Sequence, residues 1–205
     1  MENKMENNNL VNISGKISSD FQFSHEIFGE KFFDVLVDVE RHSEYIDRIV
    51  VKVSERLVDL SEDWTGEPVI IKGQFRSYND RTDVGNKLKL FVFAREWEFA
   101  EHLRDESDIE LEGYICKNRG YRKTPLGREI TDLILAVNRP YGKSDYIPCI
   151  VWGRNAKFAE TLHLGTKVKV TGRIQSRDYV KLVQGIEESK TAYEVSISKL
   201  EVING

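Results

Sequence analysis

Between Tyr146 and Tyr179 the chain reads YIPCIVWGRNAKFAETLHLGTKVKVTGRIQSRDY, with rings and cations set at intervals along runs that alternate as strands do. Trp152 and Arg154 flank a glycine, and Lys167, Lys169 and Arg173 fall on one face of the next run. An aromatic face offers a flat apolar surface to another flat group, and a cation beside it holds an anion. Together they suit a polyanion that carries rings of its own. The groupings that reaction chemistry needs are missing. The sequence shows no clustered triad, no metal-ligand set and no phosphate-binding glycine loop, since GYRKTPLG lacks the spacing. Cys116 and Cys149 make neither a disulfide framework nor a four-ligand zinc site, and four scattered histidines add no ligand set. Both thiols are expected to be reduced and mostly buried, and no cofactor or enzyme activity is expected.

The net charge of −4 argues against a polyanion partner only while the chain is summed as one body. Residues 1–110 hold 14 basic and 24 acidic side chains, a balance of −10, whereas residues 111–205 hold 16 and 10, a balance of +6. The halves are electrostatically opposite, as expected where one half meets polyanions and the other does not. No run approaches the roughly 18 apolar residues that span a bilayer, and the start MENKMENNNL lacks a signal-peptide core. A cytoplasmic, nucleoid-associated protein with no membrane partner is expected.

The elements that must position these side chains come in two copies. A shift of 98 lays Gly15, Ile17, Gly29, Asp34, Val39 and Arg41 on Gly113, Ile115, Gly127, Asp132, Val137 and Arg139. With one extra residue, a shift of 99 lays Gly66, Val69, Gly73 and Ser77 on Gly165, Val168, Gly172 and Ser176. Order and spacing agree, which marks a duplication. Each copy reads as three strands, a short helix and two strands. In the second copy these are IELEGYIC, REITDLILAV, YIPCIVWG, the helix NAKFAETLH with Asn155 as N-cap, KVKVTGRIQSRDY with a bend at Gly172, and TAYEVSISKLEVI. Pattern alone leaves other small barrels open, but five strands with a helix after the third is the OB-fold order. The expected fold is all-β: two tandem five-stranded OB-fold barrels, each with a short helix between strands 3 and 4. The expected division is a disordered tail over 1–9, a first barrel over 10–100, a linker over 101–109 and a second barrel over 110–205.

The second half resembles the bacterial single-stranded DNA-binding protein (SSB) family through LEGYICKNRGYRKTPLG, LILAVNR, IPCIVWGRNAKFAETLHLG and VKVTGRIQSRDY, in order and at family spacing. The resemblance implies an OB-fold on which bases stack against rings while cations track phosphates. At matching positions stand Tyr141, Tyr146, Trp152 and Tyr179, with Arg122, Lys123, Arg128, Arg139, Arg154, Lys167, Lys169, Arg173 and Arg177 as the phosphate track. It also implies single-stranded DNA as the partner in replication, recombination or repair, a homodimer that brings four barrels together, and contacts to replication or repair proteins. The family's acidic C-terminal tip is not found in KLEVING, which leaves recruitment absent or assigned to the acidic first barrel. A primosome-like or RNA-binding OB-fold scaffold is the alternative, with FQFSHEIFGEKFF of the first barrel as a surface for partner proteins. At the aligned positions of the first copy, Tyr141, Tyr146, Trp152 and Tyr179 become Ser43, Asp47, Val53 and Asp80. Arg122, Lys123, Arg128 and Arg154 become Ser24, His25, Glu30 and Glu55, and Lys167, Lys169 and Arg173 become Pro68, Ile70 and Gln74. The rings and cations are therefore not required by the fold.

Overall fold

Strict alternation in runs such as KVKV, with Val168 and Val170 buried and the lysines outward, folds the chain into strands that each present one face to a core. The computed structural model describes residues 8–41, 43–82, 85–104, 107–183 and 186–203. Its first half contains β1 (Asn9–Ile17), β2 (Gln22–Ile27), β3 (Glu30–Glu40), β4 (Ile46–Ser54), β5 (Pro68–Thr82) and β6 (Gly85–Phe99). The second half contains β7 (Ser107–Lys123), β8 (Glu129–Arg139), β9 (Lys143–Trp152), the helix α1 (Arg154–Glu160), β10 (Lys167–Val183) and β11 (Ile186–Val202). One sheet runs through both halves in the order β10-β11-β9-β8-β7-β1-β5-β6-β4-β3-β2. The additional pairings β10–β7 and β1–β3 close its two ends into barrels. In the second barrel the third and fifth strands, β9 and β11, are parallel, and in the six-stranded first half the equivalent fourth and sixth, β4 and β6, are parallel too, as the expected OB-fold order requires.

Four local expectations are corrected. The first barrel has no helix between β4 and β5. There Asp59 Oδ1 accepts from the Ser61 backbone N–H and hydroxyl (3.0 and 2.7 Å), and Asp63 Oδ1 accepts from the Thr65 N–H (3.0 Å). These side chains offer the backbone local bonds that compete with a helix. In the second barrel the helix begins two residues early, with Gly153 at the N-cap, so Asn155 lies inside it and its amide reaches the Ser198 carbonyl instead (3.4 Å). The tail expected over 1–9 ends sooner as well. Residues 1–7 lie outside the described residues, but Asn9 is buried in β1, exchanging hydrogen bonds with both the carbonyl and the N–H of Phe75 (2.7 and 2.8 Å). Cys149 is buried as expected, but Cys116 is exposed.

The bend expected at Gly172 is a β-bulge, and Gly73 carries the same bulge in the first barrel. A Cβ on Gly172 would sit 2.1 Å from the Ser196 carbonyl oxygen, and one on Gly73 would sit 2.2 Å from that of Phe93. Neither contact can be relieved by a side chain moving. Gly172→Ala should lower stability by about 1–3 kcal/mol, read as an earlier denaturation midpoint at an unchanged slope.

The barrels meet through their first strands. β1 pairs antiparallel with β7 from Asn9↔Leu111 to Ile13↔Ser107, centred on Val11↔Ile109. Those central residues are equivalent under the shift of 98, so each barrel offers the other the same strand in the same register. The joint has the form of a twofold dimer interface within one chain. The twofold extends to two buried carboxylates. Asp47 on β4 accepts from the Ser176 N–H of the other barrel (2.6 Å), and Asp145 on β9 accepts from the Ser77 N–H (2.7 Å). Both carboxylates are fully buried.

Candidate nucleic-acid interface

The same register corrects the alignment of the third strands. Val39 pairs with Asp47 as Val137 pairs with Asp145, so the extra residue lies after β4 and not before it. Tyr146 and Trp152 therefore correspond to Arg48 and Ser54, not to Asp47 and Val53. A one-residue slip in a strand exchanges its faces. The conclusion drawn from the comparison survives, because the first barrel has no ring at either corrected position.

The outer face of β8 and β9 sets the rings in place. Along β9 the inward residues Asp145, Ile147, Cys149 and Val151 are buried, which leaves Tyr146, Pro148, Ile150 and Trp152 on the other side. Tyr146 is 45% exposed. Trp152, six residues along, stands roughly 20 Å away at about 3.3 Å per residue. It is partly buried, and its indole N–H donates to Ser196 Oγ (2.9 Å). Between β8 and β9 the chain turns through Pro140–Gly142, where Tyr141 adopts φ 64° and ψ 33° with its side chain 96% exposed. A left-handed conformation costs a non-glycine residue roughly 1–2 kcal/mol. A bulky ring held there in water has no packing role that offsets the cost. Tyr179 on β10 is 37% exposed, with the Arg177 guanidinium 5.9 Å from its ring centre.

The predicted cations divide into two groups. Lys123, Arg128, Arg154 and Arg177 are exposed and form no ion pair among the described residues. The others are engaged. Arg122 Nε donates to Asp132 (2.8 Å), Lys169 pairs with Glu110 (2.8 Å) and Lys167 pairs more loosely with Glu112 (3.7 Å). The bond to Glu110 raises the pKa of Lys169. Arg139 and Arg173 turn toward the two buried carboxylates. Arg139 reaches Asp145 (3.4 Å), and Arg173 crosses to Asp47 (3.5 Å). Arg41 grips Asp47 through two nitrogens (2.7 and 2.5 Å), which raises its pKa, and Arg76 of the first barrel reaches Asp145 (3.2 Å). Charge on this face is thus concentrated at the β7–β8 turn, the start of α1 and the β10–β11 ribbon.

Trp152 also opens on a cleft of about 690 Å³ between the barrels, lined with Arg41, Arg104, Arg173, Ser196 and Ser198 among others. Burial pushes the pKa of nearby Glu194 up, while Arg177, Arg122 and Arg41 pull it down. Sequence reasoning missed two outward residues of the second barrel, Tyr114 on β7 and Lys143 at the start of β9. Among the described residues no group of three or more His, Cys, Asp or Glu side chains is arranged to hold a metal ion, and no helix is long and apolar enough to cross a membrane.

Comparison with known proteins agrees with this geometry. Residues 107–203 match the Single-strand binding protein family. The single-stranded DNA-binding protein of Oceanobacillus iheyensis is 31% identical over 96 residues, covering 43% of this chain and 56% of that protein. The one from Halalkalibacterium halodurans is 36% identical over 78 residues, covering 35% of this chain and 46% of that protein. The chain thus spans about half the length of these relatives. The fold extends further than the sequence similarity. The wild-type single-stranded DNA binding protein from Thermus aquaticus superposes with a TM-score of 0.77 at 18% identity, over 96% of this chain and 93% of that one. By its matched segment, strand order and relatives, the second barrel is similar to the single-strand binding protein family.

Proposed function

We propose that the second barrel binds single-stranded DNA without sequence preference, in replication, recombination or repair, and that the protein is not an enzyme. One observation carries the reading. Tyr141, Tyr146 and Tyr179 expose their rings, the last with the Arg177 guanidinium 5.9 Å from its centre, on a barrel whose sister folds without rings at these positions. Each base has a flat face, so stacking tolerates any sequence and is worth about 1–3 kcal/mol per base. The first barrel, more acidic and clasped to the second, serves as an assembly or partner module. Two chains would bring four barrels together. The 2′-hydroxyl decides between DNA and RNA, so titration with labelled poly-dT and poly-U at two salt concentrations tests the reading against an RNA-binding scaffold. Preference for poly-U, or equal affinity for duplex and single strand at moderate salt, would overturn it.

Tyr141→Ala and Tyr179→Ala should each weaken poly-dT binding by about 1–3 kcal/mol. Neither ring is buried, so the melting temperature should stay within about 1 °C of the parent for Tyr141→Ala. Unchanged affinity in the double variant would show that the rings lie off the strand's path.

A further inference from the structure

The second barrel carries six tyrosines, and their hydroxyls divide them. Tyr121 donates to Glu129 (2.7 Å) and Tyr193 donates across the joint to the Arg48 carbonyl (3.0 Å). Tyr114, Tyr141, Tyr146 and Tyr179 have no hydroxyl hydrogen bond among the described residues, and all four are more than a third exposed. A ring tied down by its hydroxyl has a structural task. A ring left in water with its hydroxyl unengaged does not. Three members of the second group are the rings already assigned to stacking. The fourth is Tyr114, 40% exposed.

Register places Tyr114 among them. It pairs with Ala136 on β8, which pairs with Tyr146 on β9, and on its other side it pairs with Lys167 on β10. Directly opposed residues of antiparallel strands share a face. Lys167, Tyr114, Ala136 and Tyr146 therefore form one row around the outside of the barrel, with a single methyl between the two rings. The equivalent row of the first barrel is Pro68, Lys16, Asp38 and Arg48. There Arg48 binds Asp38 through two nitrogens (2.8 and 3.1 Å), and this holds the Asp38 carboxyl below its ordinary pKa. The same barrel positions thus carry an ion pair in one copy and two tyrosines over an alanine in the other, so the fold does not need the rings.

We infer that Tyr114 is a further base-stacking residue, and that the row from Tyr146 over Ala136 to Tyr114 and Lys167 carries the strand across β9, β8 and β7 to β10. The inference rests on the proposed function and adds a direction to it. Bases leaving Tyr146 cross the low floor at Ala136 and meet the Tyr114 ring, and Lys167 stands beyond for a phosphate.

The test compares two probes on the full chain: a labelled dT oligonucleotide, and an abasic deoxyribose-phosphate strand of the same length that keeps the charge without the bases. Tyr114→Ala should weaken dT binding by about 5- to 150-fold and leave abasic binding unchanged, while Tyr114→Phe, which keeps the ring, should bind as the parent does. Tyr114→Lys restores the residue with which the first barrel folds, and it should lose the preference for dT over the abasic strand to a similar degree. If Tyr114→Ala and Tyr114→Lys keep the parent's preference while Tyr141→Ala and Tyr179→Ala reduce it, the strand bypasses Tyr114 and the proposed function stands without this row. If the parent itself binds both probes equally, stacking is absent and the proposed function falls with it.

Discussion

Asp47→Ala should destabilise the protein by about 3–5 kcal/mol, the range for removing one partner of a buried ion pair. The side chain is fully buried and accepts from Arg41 Nε and Nη2, from the Ser176 N–H and from the Ser176 hydroxyl (3.1 Å). Truncation leaves a guanidinium and a backbone N–H of the opposite barrel without their acceptor, and each loss carries the desolvation cost of a buried donor. For a chain of this size the loss corresponds to a fall in melting temperature of roughly 6–20 °C. Asp145→Ala should behave alike, because Asp145 holds Ser77 and Arg76 of the first barrel. Asp38 provides the control. It too is held by an arginine through two nitrogens, but the Arg48 side chain is 59% exposed and the pair lies within one barrel. Asp38→Ala should cost about 1 kcal/mol or less. Equal losses from Asp38 and Asp47 would mean that the joint does not depend on the buried carboxylates.

The clasp marks where the sequence was legible and where it was not. Alternation and glycine spacing were enough for the strand order, the duplication and the bulge at Gly172, because side chains on a barrel strand must alternate and a bulge that close to a carbonyl admits only glycine. Arg41 with Arg139, and Ser77 with Ser176, were already visible as matched polar residues in two otherwise divergent copies. Paired with the equally matched Asp47 and Asp145, they were the signal of a conserved geometry between the copies. Placing the extra residue before β4 instead of after it set Asp47 opposite Tyr146 and hid the match. Tyr114 was hidden for a related reason. In LEGYIC it is one outward residue of a strand, and only the register across three strands brings it into line with Tyr146. The helix expected in the first barrel failed because Asp59, Ser61, Asp63 and Thr65 satisfy the backbone locally, a competition that apolar periodicity does not register.

Affinity for single-stranded DNA should fall by roughly 50-fold between about 50 and about 200 mM salt, a logarithmic slope of about −3. The figure follows from which cations are available. Each phosphate contact on a single strand contributes about −0.7 to the slope through counterion release. Lys123, Arg128, Arg154 and Arg177 carry no ion pair among the described residues, which gives four such contacts. If all nine cations read from the sequence met phosphates, the slope would be about −6 and the loss several thousand-fold. The steeper value is not expected. Arg139 and Arg173 hold Asp145 and Asp47 at the joint, and Arg122 and Lys169 are bound to Asp132 and Glu110 at 2.8 Å. A phosphate that took one of these cations would displace a carboxylate, which returns to water with its own counterions, so little net release results. Lys167, loosely paired at 3.7 Å, is the cation most easily recruited, and Glu112→Gln should steepen the slope by about 0.7 if the strand reaches it. The measurement is a set of poly-dT titrations at four or more salt concentrations. A slope near −6 would show that the carboxylates release their cations on binding. A slope near zero would remove phosphate contacts from the account and leave the rings alone to explain any affinity.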